Sequence, residues 1–288
     1  MIERVDRVQI VVRDRVAAAR VFNDVLGAEP VREDESRELA ARRTVLAVGD
    51  SEIELCEPAG TGRAGRHLDR WGEGLMTAGF SVRDVAALQA RLTGLGVPFS
   101  VDGEQTYLDA AECFGMPVVL TPVRPRRRAG PVRHLYEVTN TLVSDWRLAA
   151  ARFTALFDLD PRRFSPIASE RFGYAGTLTL FDPPGRLDRI EISQVVKPDS
   201  AMGRWVARRG DSLYMCYCEV DDVRPIIERL DARGARWTPR GPDPAKEQDG
   251  LWVHPSALAG LLLGISRTTL GWEWSGRPGL VAPLGQEL

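Results

Sequence analysis

The sequence predicts an α+β fold built from four βαβββ modules. Three observations lead there: a phrase that recurs four times, an aspartate placed to cap a helix in each copy, and short β-branched runs between the copies. The copies are 12–27 (VRDRVAAARVFNDVLG), 82–96 (VRDVAALQARLTGLG), 143–158 (VSDWRLAAARFTALFD) and 220–234 (VDDVRPIIERLDARG). Each opens with a valine ending a strand-like run, then a polar residue, then Asp14, Asp84, Asp145 or Asp222. A carboxylate there accepts from the exposed N–H groups of a first helical turn.

The helices that follow are amphipathic. Val16, Ala19, Phe22 and Leu26 share a face in the first, and Leu148, Ala151, Phe153 and Leu156 in the third. Gly27, Gly96 and Gly234 supply left-handed stops, while the third copy ends at Asp158. Strand-like runs occupy 43–48, 52–56, 77–82 and 118–121, then 176–181, 189–193, 214–220 and 261–265. About three strands after each helix mean mostly antiparallel sheets, unlike the one-for-one alternation of a doubly wound domain. Segment 162–176 (RRFSPIASERFGYAG) reads as a long loop whose Glu170, Arg171 and Tyr174 could close over a ligand. The expected domains are 1–123 and 132–270, each of two modules, with 124–131 (RPRRRAGP) as a solvated linker and 271–288 as a tail on which Trp272 or Trp274 docks.

A formal net charge of −2 gives no field that would gather nucleic acid or an anionic membrane, so the expected partner is a small molecule. No charged-then-apolar leader opens the sequence and no run is long enough for a membrane span, which reads as cytoplasmic. Cys56, Cys113, Cys216 and Cys218 lie in or near strand-like runs and read as buried reduced thiols.

Several stretches carry a resemblance to a known family. Glu52-Ile-Glu-Leu-Cys-Glu-Pro58, Gly72-Glu-Gly-Leu75 and Val82-Arg-Asp84 in the first half resemble the vicinal oxygen chelate (glyoxalase/bleomycin resistance/dioxygenase) superfamily, and above all its methylmalonyl-CoA epimerases. So do the run from Met202 to Tyr214, Glu219-Val-Asp-Asp222, Val253-His-Pro255 and Gly260-Leu-Leu-Leu in the second half. The resemblance spans Val5 to about Arg267 and implies two tandem barrel-like cups, each matching a complete two-module subunit. The protein would then be a monomeric pseudo-dimer with a pseudo-twofold axis, or a homodimer of such chains.

Family cups commonly hold a divalent metal through four strand positions. Carried over residue by residue, these are Arg7, Glu54, Thr77 and Val119 in the first half and Val138, Glu191, Met215 and Gly264 in the second. Arginine, valine and glycine side chains donate no lone pair to a metal, so the expectation is no metal and no other cofactor. Arg7 against Glu54 reads as an ion pair in the metal's place. A shift of one residue in strand register would bring Glu137 or Tyr214 into play.

Strand alternation aims residues two positions along into the same cup. That row in the second half holds Tyr136 and Asn140, Arg189 and Ser193, and Tyr217 and Glu219 around the carried-over positions. The expected catalytic set is therefore Glu191, Tyr217 and Glu219, with Asn140, Tyr136, Arg189, His254 and Tyr174 binding substrate. Glu191 or Glu219 would move a proton, and Tyr217 with Asn140 would stabilise an oxyanion. The family hosts several activities, so three readings stand: a metal-independent lyase or isomerase acting on a small oxygenated or acyl substrate, a protein that sequesters a small molecule, and an extradiol-type dioxygenase.

Overall fold

The computed structural model describes residues 1–241, 249–267 and 270–281. Its strands form two eight-stranded, curled, barrel-like sheets, which are two tandem copies of the vicinal-oxygen-chelate architecture. Module one comprises β1 (Ile2–Val11), α1 (Arg15–Leu26), β2 (Glu29–Ser36), β3 (Ala41–Val48), β4 (Ser51–Pro58) and α2 (Arg63–Trp71). Module two comprises β5 (Gly74–Val82), α3 (Val85–Gly94), β6 (Ser100–Asp102), β7 (Gln105–Leu108) and β8 (Val118–Pro122).

The second half repeats this plan. Module three has β9 (Val132–Leu142), α4 (Trp146–Phe157), β10 (Phe164–Ser169), β11 (Tyr174–Thr179), β12 (Arg189–Val195) and α5 (Ala201–Arg209). Module four has β13 (Ser212–Val220), α6 (Arg224–Ala232), β14 (Trp237–Pro239), β15 (Gly250–Val253) and β16 (Leu263–Arg267). The sheet orders are β2-β3-β4-β1-β5-β8-β7-β6 and β10-β11-β12-β9-β13-β16-β15-β14. The same order twice is the internal repeat expressed as topology.

Contacts gather into two units. One contains Met1–Val5, Thr77–Arg124 and Tyr136–Tyr214, and the other Asp6–Met76, Pro125–Leu135 and Met215–Leu288. Each unit therefore packs a module of one half with a module of the other. In the first, Phe80 lies 5.9 Å from Phe157 and 5.8 Å from Phe181, so α4 is covered by an aromatic cluster.

The caps follow the repeat. Asp14 accepts from Val16 and Ala17 N–H, Asp84 from Ala87 N–H and Asp145 from Arg147 N–H. The fourth copy differs by one residue: Asp222 accepts from Arg224 N–H, but Val223 stands at the cap position. Gly27 (φ 64°) and Asp158 (φ 56°) end α1 and α4 in the left-handed conformation.

Two expectations need correction. Segment 162–176 is a single 3-10 turn followed by most of the β10–β11 hairpin, with Ser169 paired to Tyr174. Alternation in that segment is obscured because β10 is an edge strand, exposed at Pro166 and Ala168. The 124–131 segment is not simply solvated either. Arg126 reaches Asp6 and Glu52, where two carboxylates outweigh the cost of removing one guanidinium from water. The tail begins as a short helix, Gly271–Trp274, with Trp272 buried and the Arg240 guanidinium 3.2 Å from the Trp274 ring centre. Residues 282–288 of the expected tail lie outside the described residues.

Candidate functional site

Strand β12 runs parallel to β9 with Arg189 opposite Glu137, Glu191 opposite Thr139 and Ser193 opposite Thr141. Residues directly opposite share a face, so Glu137, Thr139, Arg189, Glu191 and Ser193 belong to one surface of this sheet. Arg189 is fully buried and donates to Glu137 at 2.6 Å. Glu191 is half-buried; it accepts from Ser193 Oγ at 2.5 Å and from Thr139 Oγ1 at 3.5 Å, and Thr139 lies 3.4 Å from Glu137.

These contacts do not hold Glu191 in its ionised form. Loss of water around the carboxyl and the negative charge of Glu137 push its pKa up to about 8, against the weaker help of Ser193 and Arg189. At neutral pH Glu191 therefore holds its proton most of the time, and it titrates within the range where acid–base catalysts work. Tyr214 lies near enough to feel the Glu191 charge; burial and that charge together raise its phenol.

The corresponding place in the first half is chemically different. Gln9 lies opposite Glu54 on β1 and β4, and Glu54 is fully buried. It accepts from Arg7 at 2.6 Å, Gln9 at 2.8 Å and Arg43 at 3.0 Å. Burial alone would raise this carboxyl, but Arg7 and Arg43 prevail and hold it below its ordinary value. The expected Arg7–Glu54 ion pair is present, and it is one link of a ladder running through Asp6, Glu52, Arg126, Arg43 and Asp34.

The other expected site residues fall as follows. Tyr136 and Asn140 alternate with Glu137 and Thr139 along β9, so they project from its opposite face. Tyr136 is fully buried with the Arg189 guanidinium 4.9 Å from its ring centre, and the Asn140 amide donates to Phe114 O. Tyr174 is half-buried at the start of β11, opposite Val195. The carried-over alignment put Val138 in place of Glu137, which it reached only through a one-residue shift, and it missed Thr139, because Thr139 precedes Asp145 by six positions but Gln9 precedes Asp14 by five. That extra residue shifts the register by one, and one is enough to exchange the faces of a strand.

In the second unit, Tyr217 on β13 lies beside Gly264 on β16, which lies beside Trp252 on β15. A methyl group at Gly264 would come within 2.0 Å of the Tyr217 ring, so only glycine lets that ring lie flat across the strand. The Tyr217 hydroxyl accepts from Trp252 Nε1 at 2.7 Å. Glu219 is nearly buried, with Arg133 at 3.5 Å and His134 at 3.6 Å. His254 caps the short Pro255–Ala257 turn, and its Nδ1 lies 2.9 Å from Ser256 Oγ. Its pKa is lowered by burial and by Arg236.

Two clefts lie apart from Glu191. One of about 630 Å³ is lined by residues including Glu3, Arg83, Asp160 and Arg163, and one of about 510 Å³ by residues including Arg13, Glu73 and Arg236. In the first, Arg83 pairs with Glu3 and Arg163 with Asp160, so its charges are largely matched internally.

Of the carried-over metal positions, Val119, Val138 and Gly264 offer no donor atom, and Glu54 already accepts from three side chains. Those positions do not fit a four-ligand cage. Among the described residues no group of three or more His, Cys, Asp and Glu side chains is placed to hold a metal ion.

The sequence model described as "Glyoxalase/Bleomycin resistance protein/Dioxygenase superfamily" matches residues 6–114. No curated protein matches the chain. Among solved structures, a triple mutant of 4-hydroxymandelate synthase from Streptomyces coelicolor is similar over 93% of this chain and 93% of its own, at 16% identity and TM-score 0.71. A fusion of a xylose isomerase-like TIM barrel with 4-hydroxyphenylpyruvate dioxygenase is similar over 93% of this chain and 49% of its own, at 15% identity and TM-score 0.62. Methylmalonyl-CoA epimerase from Mycobacterium tuberculosis covers 43% of this chain and 90% of its own, at 24% identity and TM-score 0.39.

These neighbours overturn the expectation of a cofactor-free protein. A dioxygenase carries its oxygen chemistry on a cofactor, and a protein with such a function shares this fold along nearly the whole chain. The fold therefore accommodates a metal-dependent chemistry, and eight carried-over side chains, four in each half, were too narrow a basis for ruling one out. Residues 6–114 thus match the model of the glyoxalase/bleomycin resistance protein/dioxygenase superfamily, and the two-half fold is shared along nearly the whole chain.

Proposed function

We propose that this protein is an acid–base enzyme of lyase or isomerase type, acting on a small oxygenated or acyl substrate in its second half. Glu191 is the group that moves the proton. The observation that carries this reading is the contrast between two equivalent carboxyls: Glu54 is held ionised by two arginines, whereas Glu191 faces Glu137 and is pushed up to about 8. Arg189 and Glu137 form the buried ion pair that fixes this environment, and Ser193 and Thr139 orient the carboxyl.

In this reading the first half, 1–123, is a scaffold and the second, 132–270, is the working half, joined by 124–131. The partner is a small molecule, with no role for nucleic acid or membrane. No described helix is long and apolar enough to cross a membrane, and all four cysteines are free and buried. Reduced thiols support a cytoplasmic setting.

The test is α-proton exchange in heavy water, followed by proton NMR, over a panel of small ketones, hydroxy acids and acyl thioesters. Glu191→Gln is expected to slow exchange by about 10² to 10⁴ with the unfolding midpoint retained. Full activity in this variant would remove Glu191 from the mechanism. Tight binding without exchange would support the sequestering alternative, and substrate-dependent oxygen uptake on adding iron(II) would replace the proposal with an oxygenase.

A further inference from the structure

Helix α5 and strand β13 carry an aromatic pair that the mechanism above does not use, and its tyrosine, Tyr214, lies close enough to Glu191 to feel its charge. The Tyr214 and Trp205 ring centres are 5.1 Å apart with their planes at 69°, an edge-to-face contact. Trp205 is fixed from two sides: its Nε1–H donates to Ser212 Oγ at 2.9 Å, and the Arg209 guanidinium lies 4.0 Å from its ring centre. Tyr214 is half-buried, and its hydroxyl makes no hydrogen bond among the described residues. A phenol packed edge-to-face on a fixed indole, with a spare O–H and within reach of the Glu191 charge, is what an oxygen-bearing ligand needs as a donor.

Two comparisons single out this pair. In the first half the equivalent positions along α2 and β5 are His67 and Met76, neither of them an aromatic ring of this kind. Tyr217, the phenol expected from the sequence, already accepts from Trp252, and its ring is spread over Gly264.

We propose that Tyr214 is the phenol that works with Glu191, donating to the oxygen of a flat, oxygen-bearing small molecule laid against the Trp205–Tyr214 wall. The proposal rests on the Glu191 reading above. In the proton-transfer step Glu191 carboxylate takes the proton from the carbon next to the ligand's carbonyl. The C–H electron pair becomes the new C=C bond, and the carbonyl π pair moves to oxygen. The Tyr214 O–H bonds to that oxyanion, and return of the proton from Glu191 restores the starting charges.

The test uses the whole chain labelled with carbon-13 at the tyrosine Cζ, which gives one resonance for each of its five tyrosines, and 4-nitrophenol as a flat, oxygen-bearing probe. Single Tyr→Phe variants assign the resonances, and the four that persist in Tyr214→Phe report that the variant folds. Glu191→Gln without probe is expected to move the Tyr214 resonance and leave Tyr217 in place. Saturating probe is expected to move Tyr214, and both Tyr214→Phe and Trp205→Leu to weaken probe binding about tenfold, the loss of one good contact. A probe that moves Tyr217 or no tyrosine, or a Tyr214→Phe variant that binds at full strength, overturns the proposal. If Glu191→Gln abolishes α-proton exchange while the probe ignores Tyr214, this inference fails and the Glu191 reading stands. The reverse pattern keeps Tyr214 as a binding residue and removes Glu191.

Discussion

Glu54 and Glu191 occupy the same rung of the same strand in two copies of one module, yet their surroundings carry opposite charge. Opposite Glu52 on β4 stands Arg7, and opposite Arg189 on β12 stands Glu137. The ion pair is conserved in geometry and inverted in direction: Arg7 to Glu52 at 2.8 Å, Arg189 to Glu137 at 2.6 Å. The next carboxyl along therefore meets a cation in the first half and an anion in the second. The further cation is also missing, because the place of Arg43 on β3 is taken by Gly176 on β11. Inverting one buried pair and deleting one arginine turns a structural carboxylate into a group that titrates near neutrality.

The largest effect is expected where this comparison is broken in the first half. Arg7→Leu removes the cation that Glu52 and Glu54 share, leaving Glu52 to Arg126 and Glu54 to Arg43 and Gln9, and should cost about 3 kcal/mol by urea unfolding, because a buried cluster loses one of its balancing charges. Arg7→Leu combined with Glu54→Leu should recover part of that loss. Additive effects of the two changes would show that Glu54 is held by something other than Arg7.

Next in size is the pH dependence of stability, which should have opposite signs at the two sites. Glu191, raised in the folded state, binds more protons folded than unfolded; its contribution is complete below its unfolded pKa near 4.5 and is lost as pH rises through about 8. Glu54, lowered in the folded state, contributes above its unfolded pKa, and that contribution is lost as pH falls through the lower folded value. Unfolding free energies measured from pH 5 to 9 should therefore decline less in Glu191→Gln than in the wild type. Parallel declines would mean that Glu191 is not the responsible group.

Glu137→Gln sharpens the same comparison. Removing the neighbouring negative charge should lower the Glu191 midpoint by at least about one unit, about 1.4 kcal/mol, as read from the carboxyl carbon-13 titration. An unmoved midpoint would leave loss of water as the whole cause. The smallest change is expected from Arg126→Ala, which removes a guanidinium from Asp6 and Glu52 at the edge of the ladder. A loss of about 1 kcal/mol with exchange activity intact would fit a first half that acts only as scaffold.

Local chemistry made most of the fold legible. Asp14, Asp84 and Asp145 cap helices because a carboxylate beside bare N–H groups needs no distant partner, and the recurrence of that phrase announced four modules. The short strands β6, β7, β14 and β15 and the edge strand β10 were less legible, since three or four residues show little alternation and an edge strand need not alternate cleanly. At the site, Glu191 was legible from its place in the module. Glu137 was legible only as one of two registers, and choosing between them required knowing which residue of β9 stands opposite Arg189.

The sequence by itself determined the modules, their order, their caps and the presence of a carboxyl at each equivalent rung, all of which depend on neighbours a few residues away. Only the tertiary structure decided which side chains surround each carboxyl. Burial multiplies the effect of every nearby charge, and one residue of register decides whether that charge is Val138's absence of one or Glu137's presence. Segment 124–131 follows the same rule, since Arg126 became part of the buried ladder through Asp6 and Glu52, remote in the chain, whereas 162–176 formed a hairpin with partners only 5 to 15 residues away.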